Sequence, residues 1–192
     1  NKHLYVIDLY GNIEMDFDAD QYLMGTPALA DVDGDGLNEI IVAGYTSSGD
    51  LFAVNHDGTL VDGFPASINE KVLRGAATID LNGNGRADMV VGTESDDLII
   101  VVFDDGSYDI LFDGNEKFKS APSIATINGE NIIFAGSDDG HLYGLNIDGE
   151  IRFDIVTGDK IRTSPAFVKL PSGTAIVVGS YDGYLYAVDS DG

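Results

Sequence analysis

The chain has no cysteine and no tryptophan, 3 histidines, and only 10 basic residues against 33 acidic ones. Without cysteine there is no disulfide framework, no thiol nucleophile and no thiolate metal ligand. His3, His56 and His141 stand far apart, and none falls in a metal-binding spacing. A formal net charge of −23 excludes nucleic acid as a partner, because phosphate repulsion would dominate. No apolar run approaches the ~18 residues of a membrane-spanning helix, so membrane insertion is not expected. No leader-type segment stands at the start, as would hold for a trimmed chain. The serines lie in Gly/Asp turns with no nucleophile elbow or neighbouring base. With 33 carboxylates, chance alone supplies close pairs, so none is singled out as an acid–base couple. What remains is 192 residues at 44% hydrophobic content with 24 glycines, enough for one domain over residues 1–192.

The most informative segment is Asp31-Val-Asp33-Gly-Asp35-Gly-Leu37-Asn-Glu39, which recurs as Asp80-Leu-Asn82-Gly-Asn84-Gly-Arg86-Ala-Asp88. Both copies place oxygen-bearing side chains at positions 1, 3, 5 and 9, with glycine at 4 and 6. Oxygens at that spacing on a tight loop form a cage for a hard cation, Ca²⁺ above others. Position 7, Leu37 or Arg86, would supply a backbone carbonyl, so its side chain is free to vary. A helix-flanked EF-hand is excluded, since position 12 is Val42 or Val91 rather than glutamate. Each loop instead runs into a short apolar segment, 39–43 or 88–92, that reads as a buried strand. Asp, Asn and Gly also favour metal-free turns. Against that, the four carboxylates of the first copy would repel one another strongly with no cation present. The second copy carries two carboxylates and two neutral amides. Two Ca²⁺ sites are therefore expected.

The repeat is wider than the loop. Segments beginning at Leu4, Leu51, Ile99, Leu142 and Leu185 align without gaps, each followed by a turn glycine at 11, 58, 106, 149 and 192. A second register runs through Pro27, Ala76, Pro122 and Pro165, each after a small residue. Four short strands per unit at this period are the signature of β-propeller blades. Strand A covers 27–30, 76–79, 122–127 and 165–169. Strand B covers 40–43, 89–92, 131–135 and 175–178. Strand C is the Leu-Tyr-Ala-Val type. Strand D covers 60–64, 108–112 and 150–155. No helix is expected. The metal loops join A to B in the first two A–B pairs. The later links, Ile127 to Glu130 and Leu170 to Gly173, are too short for a cation. The order C-D, then A to D three times, then A-B-C gives three complete blades flanked by two partial ones. Open sheet edges invite pairing, so the expectation is a part of a larger propeller, or two copies completing one ring.

These residues resemble a known family. The Asp-x-Asp-x-Asp-Gly-x-x-Glu loop, the preceding small-residue–Pro step and the buried strand after the loop resemble FG-GAP repeats of the integrin α type. Gly136–Asn146 and Gly179–Asp189 are more similar to PQQ-type propeller repeats. The resemblance implies Ca²⁺ on the A–B loops and ligand binding on the opposite face, built by the D–A and B–C loops. It is incomplete: the Phe-Gly half of the motif is poorly kept, and the tryptophans expected of a quinone-dependent enzyme are absent.

Six of the 10 basic residues fall in the D–A loops: Lys71, Arg74, Lys117, Lys119, Lys160 and Arg162. On the propeller, Lys119 and Arg162 occupy one repeat position at the mouth of the central channel, with Arg74 one residue later. A basic ring there could recruit an anion, with Tyr45, Tyr181 and Tyr184 available to stack on sugars. The acidic B–C loops could equally be what these bases neutralise. The expected function is a secreted or surface-attached, calcium-stabilised propeller that mediates protein recognition or adhesion without catalysis. The alternative is carbohydrate binding, including service within a calcium-dependent lyase of acidic polysaccharides.

Overall fold

The computed structural model describes residues 2–171 and 173–189. Among them every regular element is a β-strand, and they form five antiparallel sheets taken in sequence order. The first holds β1 (His3–Ile7) and β2 (Ile13–Asp18). The second holds β3 (Ala28–Ala30), β4 (Glu39–Ala43) and β5 (Leu51–Val54). The third holds β6 (Ala77–Ile79), β7 (Asp88–Gly92), β8 (Leu98–Val102) and β9 (Tyr108–Asp113). The fourth holds β10 (Ser123–Ile127), β11 (Glu130–Gly136), β12 (His141–Leu145) and β13 (Ile151–Val156). The fifth holds β14 (Ala166–Leu170), β15 (Gly173–Gly179) and β16 (Leu185–Asp189). Each strand pairs with its sequence neighbour, the meander of a propeller blade. None of the described elements is a helix long and apolar enough to cross a membrane.

The strand sequences follow from where they sit. Side chains alternate across a strand, so a sheet sandwiched between two others needs apolar residues at every position. β7 and β8 are buried along their whole length. Met89 and Val91 pack with Ile41, Leu51 and Ala53 of the second sheet. Val90 and Ile99 face the other way, against Ile133, Tyr143 and Leu145 of the fourth. Similar layers join the first sheet to the second through Leu4, Met15, Val42 and Phe52, and the fourth to the fifth through Phe134, Leu142, Ile176 and Val178. Each fully buried Leu, Ile or Val in these layers contributes about 1.5–3 kcal/mol. Among the described residues no such layer joins the fifth sheet to the first.

The expected strands are present with one change. Leu60–Phe64, expected as strand D of the second sheet, follows β5 only through bridges between Val54 and Leu60 and between Leu51 and Ala66. Regular pairing fails because Gly63 takes φ +91° and Pro65 has no N–H to donate. Gly63 is needed there: a Cβ would overlap the carbonyl oxygen of Asp105 in the next hairpin. The segment still caps the core with Val61 and Phe64. Two of the three blades expected to be complete therefore have four regular strands. The turn glycines 11, 58, 106 and 149 all have φ between +79° and +90°. Gly192 lies outside the described residues, as does residue 172 in the β14–β15 link.

Candidate metal centre and ligand face

In the first Asp-rich loop, the local hydrogen bonds pull side-chain oxygens inward. Asp31 accepts the amides of Gly34 (2.7 Å) and Gly36 (3.0 Å) through its two carboxylate oxygens. Asp33 accepts from Asp35 N–H at 3.0 Å and Asp35 from Leu37 N–H at 2.7 Å. Glu39 closes the loop by accepting the Val32 amide at 2.8 Å. Gly34 and Gly36 sit at φ +82° and +88°, where a side chain would be strained.

The second loop repeats this wiring. Asp80 accepts from Gly83 and Gly85, Asn82 from Asn84, Asn84 from Arg86, and Asp88 from Leu81, at 2.7–3.0 Å. The bonds thus run from positions 1, 3, 5 and 9 to the same loop amides in both copies. Five bonds reproduced with different side chains mark a shared loop geometry.

The donor set fits a hard divalent cation in the first loop. Asp31, Asp33 and Glu39 each offer an oxygen, and those oxygens lie within 4.8 Å of one another. Asp35 is not in that group. Burial raises the pKa of Glu39, and the nearby Asp33 and Asp35 charges add to the effect. Asp88, fully buried, is raised by burial too, with Asp104 and Asp80 adding repulsion. A bound cation would relieve both costs. In the second loop only Asp80 and Asp88 are carboxylates, with Asn82 and Asn84 offering amide oxygens. Leu37 and Arg86 offer backbone carbonyls.

One residue of this region was not legible from the repeats. The Asp104 carboxylate takes Asn84 Nδ2 at 3.1 Å and Arg86 at 3.4 Å, while its own amide donates to Asp88 at 3.1 Å. The Arg86 Nε lies 3.1 Å from where a Cβ on Gly34 would be, so this arginine reaches from the second loop to the first.

On the opposite face, Tyr45, Glu94, Asp138 and Tyr181 occupy one repeat position in the B–C loops. Their amides donate to the carbonyls of Tyr22, Lys71, Lys117 and Lys160 in the D–A loops, at 2.7–3.0 Å. This seam brings the predicted basic residues against the acids. Arg162 grips Asp138 through Nε and Nη2 at 2.7 and 2.8 Å. Lys119 lies 3.2 Å from Asp138 and 3.9 Å from Glu94. Asp138 is penalised by burial, but hydrogen bonds and charge from Arg162 and Lys119 prevail and lower its pKa. The same bond drives the Arg162 pKa upward. The Arg162 guanidinium also stands 5.3 Å over the ring of Tyr181. Tyr45 reaches Glu94 at 3.5 Å, while the other Glu94 oxygen is buried with no partner. Lys119 and Arg162 are thus held by carboxylates, whereas Arg74 is exposed at the channel mouth. Tyr181 and Tyr184 are exposed at the far end of the same face.

The comparisons agree with this architecture. A family profile described as FG-GAP-like repeat matches residues 31–91, which hold both Asp-rich loops and the strands between them. No curated protein matches in sequence. Among solved structures, BamB from Moraxella catarrhalis is 17% identical with a TM-score of 0.68, covering 94% of this chain and 54% of that one. BBS1N in complex with ARL6DN gives 12%, 0.72, 99% and 59%. The Dos1 propeller gives 15%, 0.62, 99% and 51%. The protein thus spans a little over half the length of these structures, and at such identities the likeness establishes the fold. The five sheets are β-propeller blades, and residues 31–91 carry an FG-GAP-like repeat.

Proposed function

We propose that this protein is a calcium-stabilised β-propeller module, secreted or surface-exposed, that binds a protein partner and performs no chemistry of its own. The observation that carries the reading is the twice-repeated loop whose local bonds orient oxygens from positions 1, 3, 5 and 9. Calcium's part is structural: Asp31, Asp33, Asp35, Glu39 and the Leu37 carbonyl hold one ion, and Asp80, Asn82, Asn84, Asp88 and the Arg86 carbonyl the other. Calcium sites of extracellular modules have affinities of about 10⁻⁴–10⁻³ M, which suits a fold that is complete only outside the cell. Adhesion is the biological setting this implies. Recognition falls to the D–A and B–C loops, where aromatic and charged side chains are exposed together, a composition typical of binding surfaces. BBS1N was crystallised with a protein partner, and a similar fold here supports the same use.

Calorimetric titration with Ca²⁺, paired with selection of a displayed random-peptide library in calcium and in chelator, tests the reading. Two binding events and calcium-dependent enrichment of peptides support it. Absence of calcium binding overturns the metal assignment, and absence of enrichment overturns protein recognition.

A further inference from the structure

We propose that the mouth of the central channel takes a single carboxylate from a protein partner, bound by Arg74. The inference rests on the protein-recognition reading above and adds the chemistry of the anchor. Strand β6 lies beside β3 and β10, so the segments that lead into these strands line one side of the channel. The cavity they leave is about 390 Å³ and is lined by Arg74, Arg162, Thr26, Ser164 and small residues such as Gly75 and Ala121. Four other clefts on the molecule each contain at least one carboxylate, as expected of a protein at −23. The channel cavity contains none.

The donors there are available. Arg74 has no hydrogen-bonded or ionic partner among the described residues, while Arg162, bound to Asp138 and set over Tyr181, adds positive charge beside it. Ser164 Oγ accepts the Ala121 amide at 3.2 Å and keeps its hydroxyl proton for a ligand. An arginine with hydroxyls beside it matches the planar, two-oxygen face of a carboxylate. Charge sets the stoichiometry. Lys119 and Arg162 are held by the carboxylates of Glu94 and Asp138, so among these five groups Arg74 alone stands without a counter-ion and leaves one positive charge in excess.

That excess suits one acidic side group, or the terminal carboxylate of a polypeptide, on a partner that is otherwise neutral or basic. A polyuronate carries a charge on every sugar. Its other carboxylates would lie against an acidic body, so one cation would not hold it.

The test is an amide and arginine-Nε NMR titration of the calcium-loaded, ¹⁵N-labelled protein. The ligands are a lysine-rich hexapeptide with one glutamate, its glutamine counterpart, and trigalacturonate. The expected result is saturable shifts at Arg74, Gly75 and Ala121 with the glutamate peptide. The glutamine peptide and the Arg74→Gln variant should each weaken binding at least tenfold. No saturable shift at these residues, or equal binding by Arg74→Gln, overturns the assignment. Tighter binding of trigalacturonate than of the peptide overturns the choice of a protein carboxylate. Library-selected peptides that bind Arg74→Gln as well as wild type would leave protein recognition standing and remove this anchor alone.

Discussion

The amide of Ala87, at position 8 of the second Asp-rich loop, donates to the carbonyl oxygen of Asp31, at position 1 of the first, across 2.8 Å. Neighbouring blades are therefore joined at the first residue of one Asp-rich loop and next to the last residue of the other. Arg86 strengthens the tie by lying over Gly34 while pairing with Asp104.

On the calcium reading proposed above, such a connection couples the two sites. Asp31→Ala removes the acceptor for the Gly34 and Gly36 amides, loosening the backbone that Ala87 binds. Calcium affinity at the second loop should then fall about fivefold or more, the scale of a coupling near 1 kcal/mol. Calorimetry on the variant reads this directly. An unchanged affinity at the second loop would show that the blades carry their ions independently.

Calcium should also raise thermal stability. At 1 mM Ca²⁺ and a dissociation constant near 10⁻⁴ M, each site adds about 1.4 kcal/mol. Two sites add about 3 kcal/mol, or roughly 6–10 °C in Tm for a protein of this size. Differential scanning calorimetry in calcium and in chelator measures the difference. Asp31→Ala should erase most of it, and an unchanged calcium shift in that variant would remove the first loop from the assignment.

Much of this was legible in the sequence, for local reasons. Strands B and C of the inner sheets are buried on both faces, so their apolar runs stand out, and the loops order themselves through bonds between residues two to seven apart. Strand D of the second sheet was misleading because Leu60–Phe64 reads as apolar. Gly63 bends toward Asp105, a contact with the next blade that no local pattern reveals. The role of Asp104 and the crossing of Arg86 were hidden for the same reason, since their bonds join residues 16 or more apart. Neutralisation of the basic loops by the acidic B–C loops was legible, but the particular pairing of Arg162 with Asp138, 24 residues apart, was not. The basic D–A loops were visible as a cluster, but only the structure separates the held Lys119 and Arg162 from Arg74.

The seam at Gly63 gives a prediction that separates two kinds of strain. Gly63→Ala adds a left-handed backbone penalty and an overlap with the Asp105 carbonyl, so it should cost about 2–4 kcal/mol. Gly11 has φ +90° but open space around its Cβ position. Gly11→Ala should then cost only the backbone penalty, about 1 kcal/mol. Urea denaturation of the two variants, with equal losses, would show that the approach of the two hairpins carries no weight.

Asp138 should shape the acid limit of stability. Its carboxyl is 5% exposed and bound by Arg162 and Lys119, themselves 28% and 17% exposed. Because its folded pKa lies below the ordinary aspartate value of 3.8, the folded state favours the ionised form. That contribution is present above pH 3.8 and is lost as pH falls through the depressed folded value. Asp138→Asn removes the charge but keeps a group of similar shape, leaving Arg162 without its counter-ion and Lys119 with Glu94 alone. At pH 7 it should destabilise by about 2 kcal/mol, below the usual cost of breaking a fully buried pair because solvent reaches both cations. The gap between wild type and variant should narrow as the pH is lowered from 5 to 2, since protonation does to Asp138 what the substitution does permanently. Urea midpoints taken across that range check the sign. A gap that stays constant to pH 2 would mean that the variant acts through packing, and that the charge at Asp138 does not hold the seam.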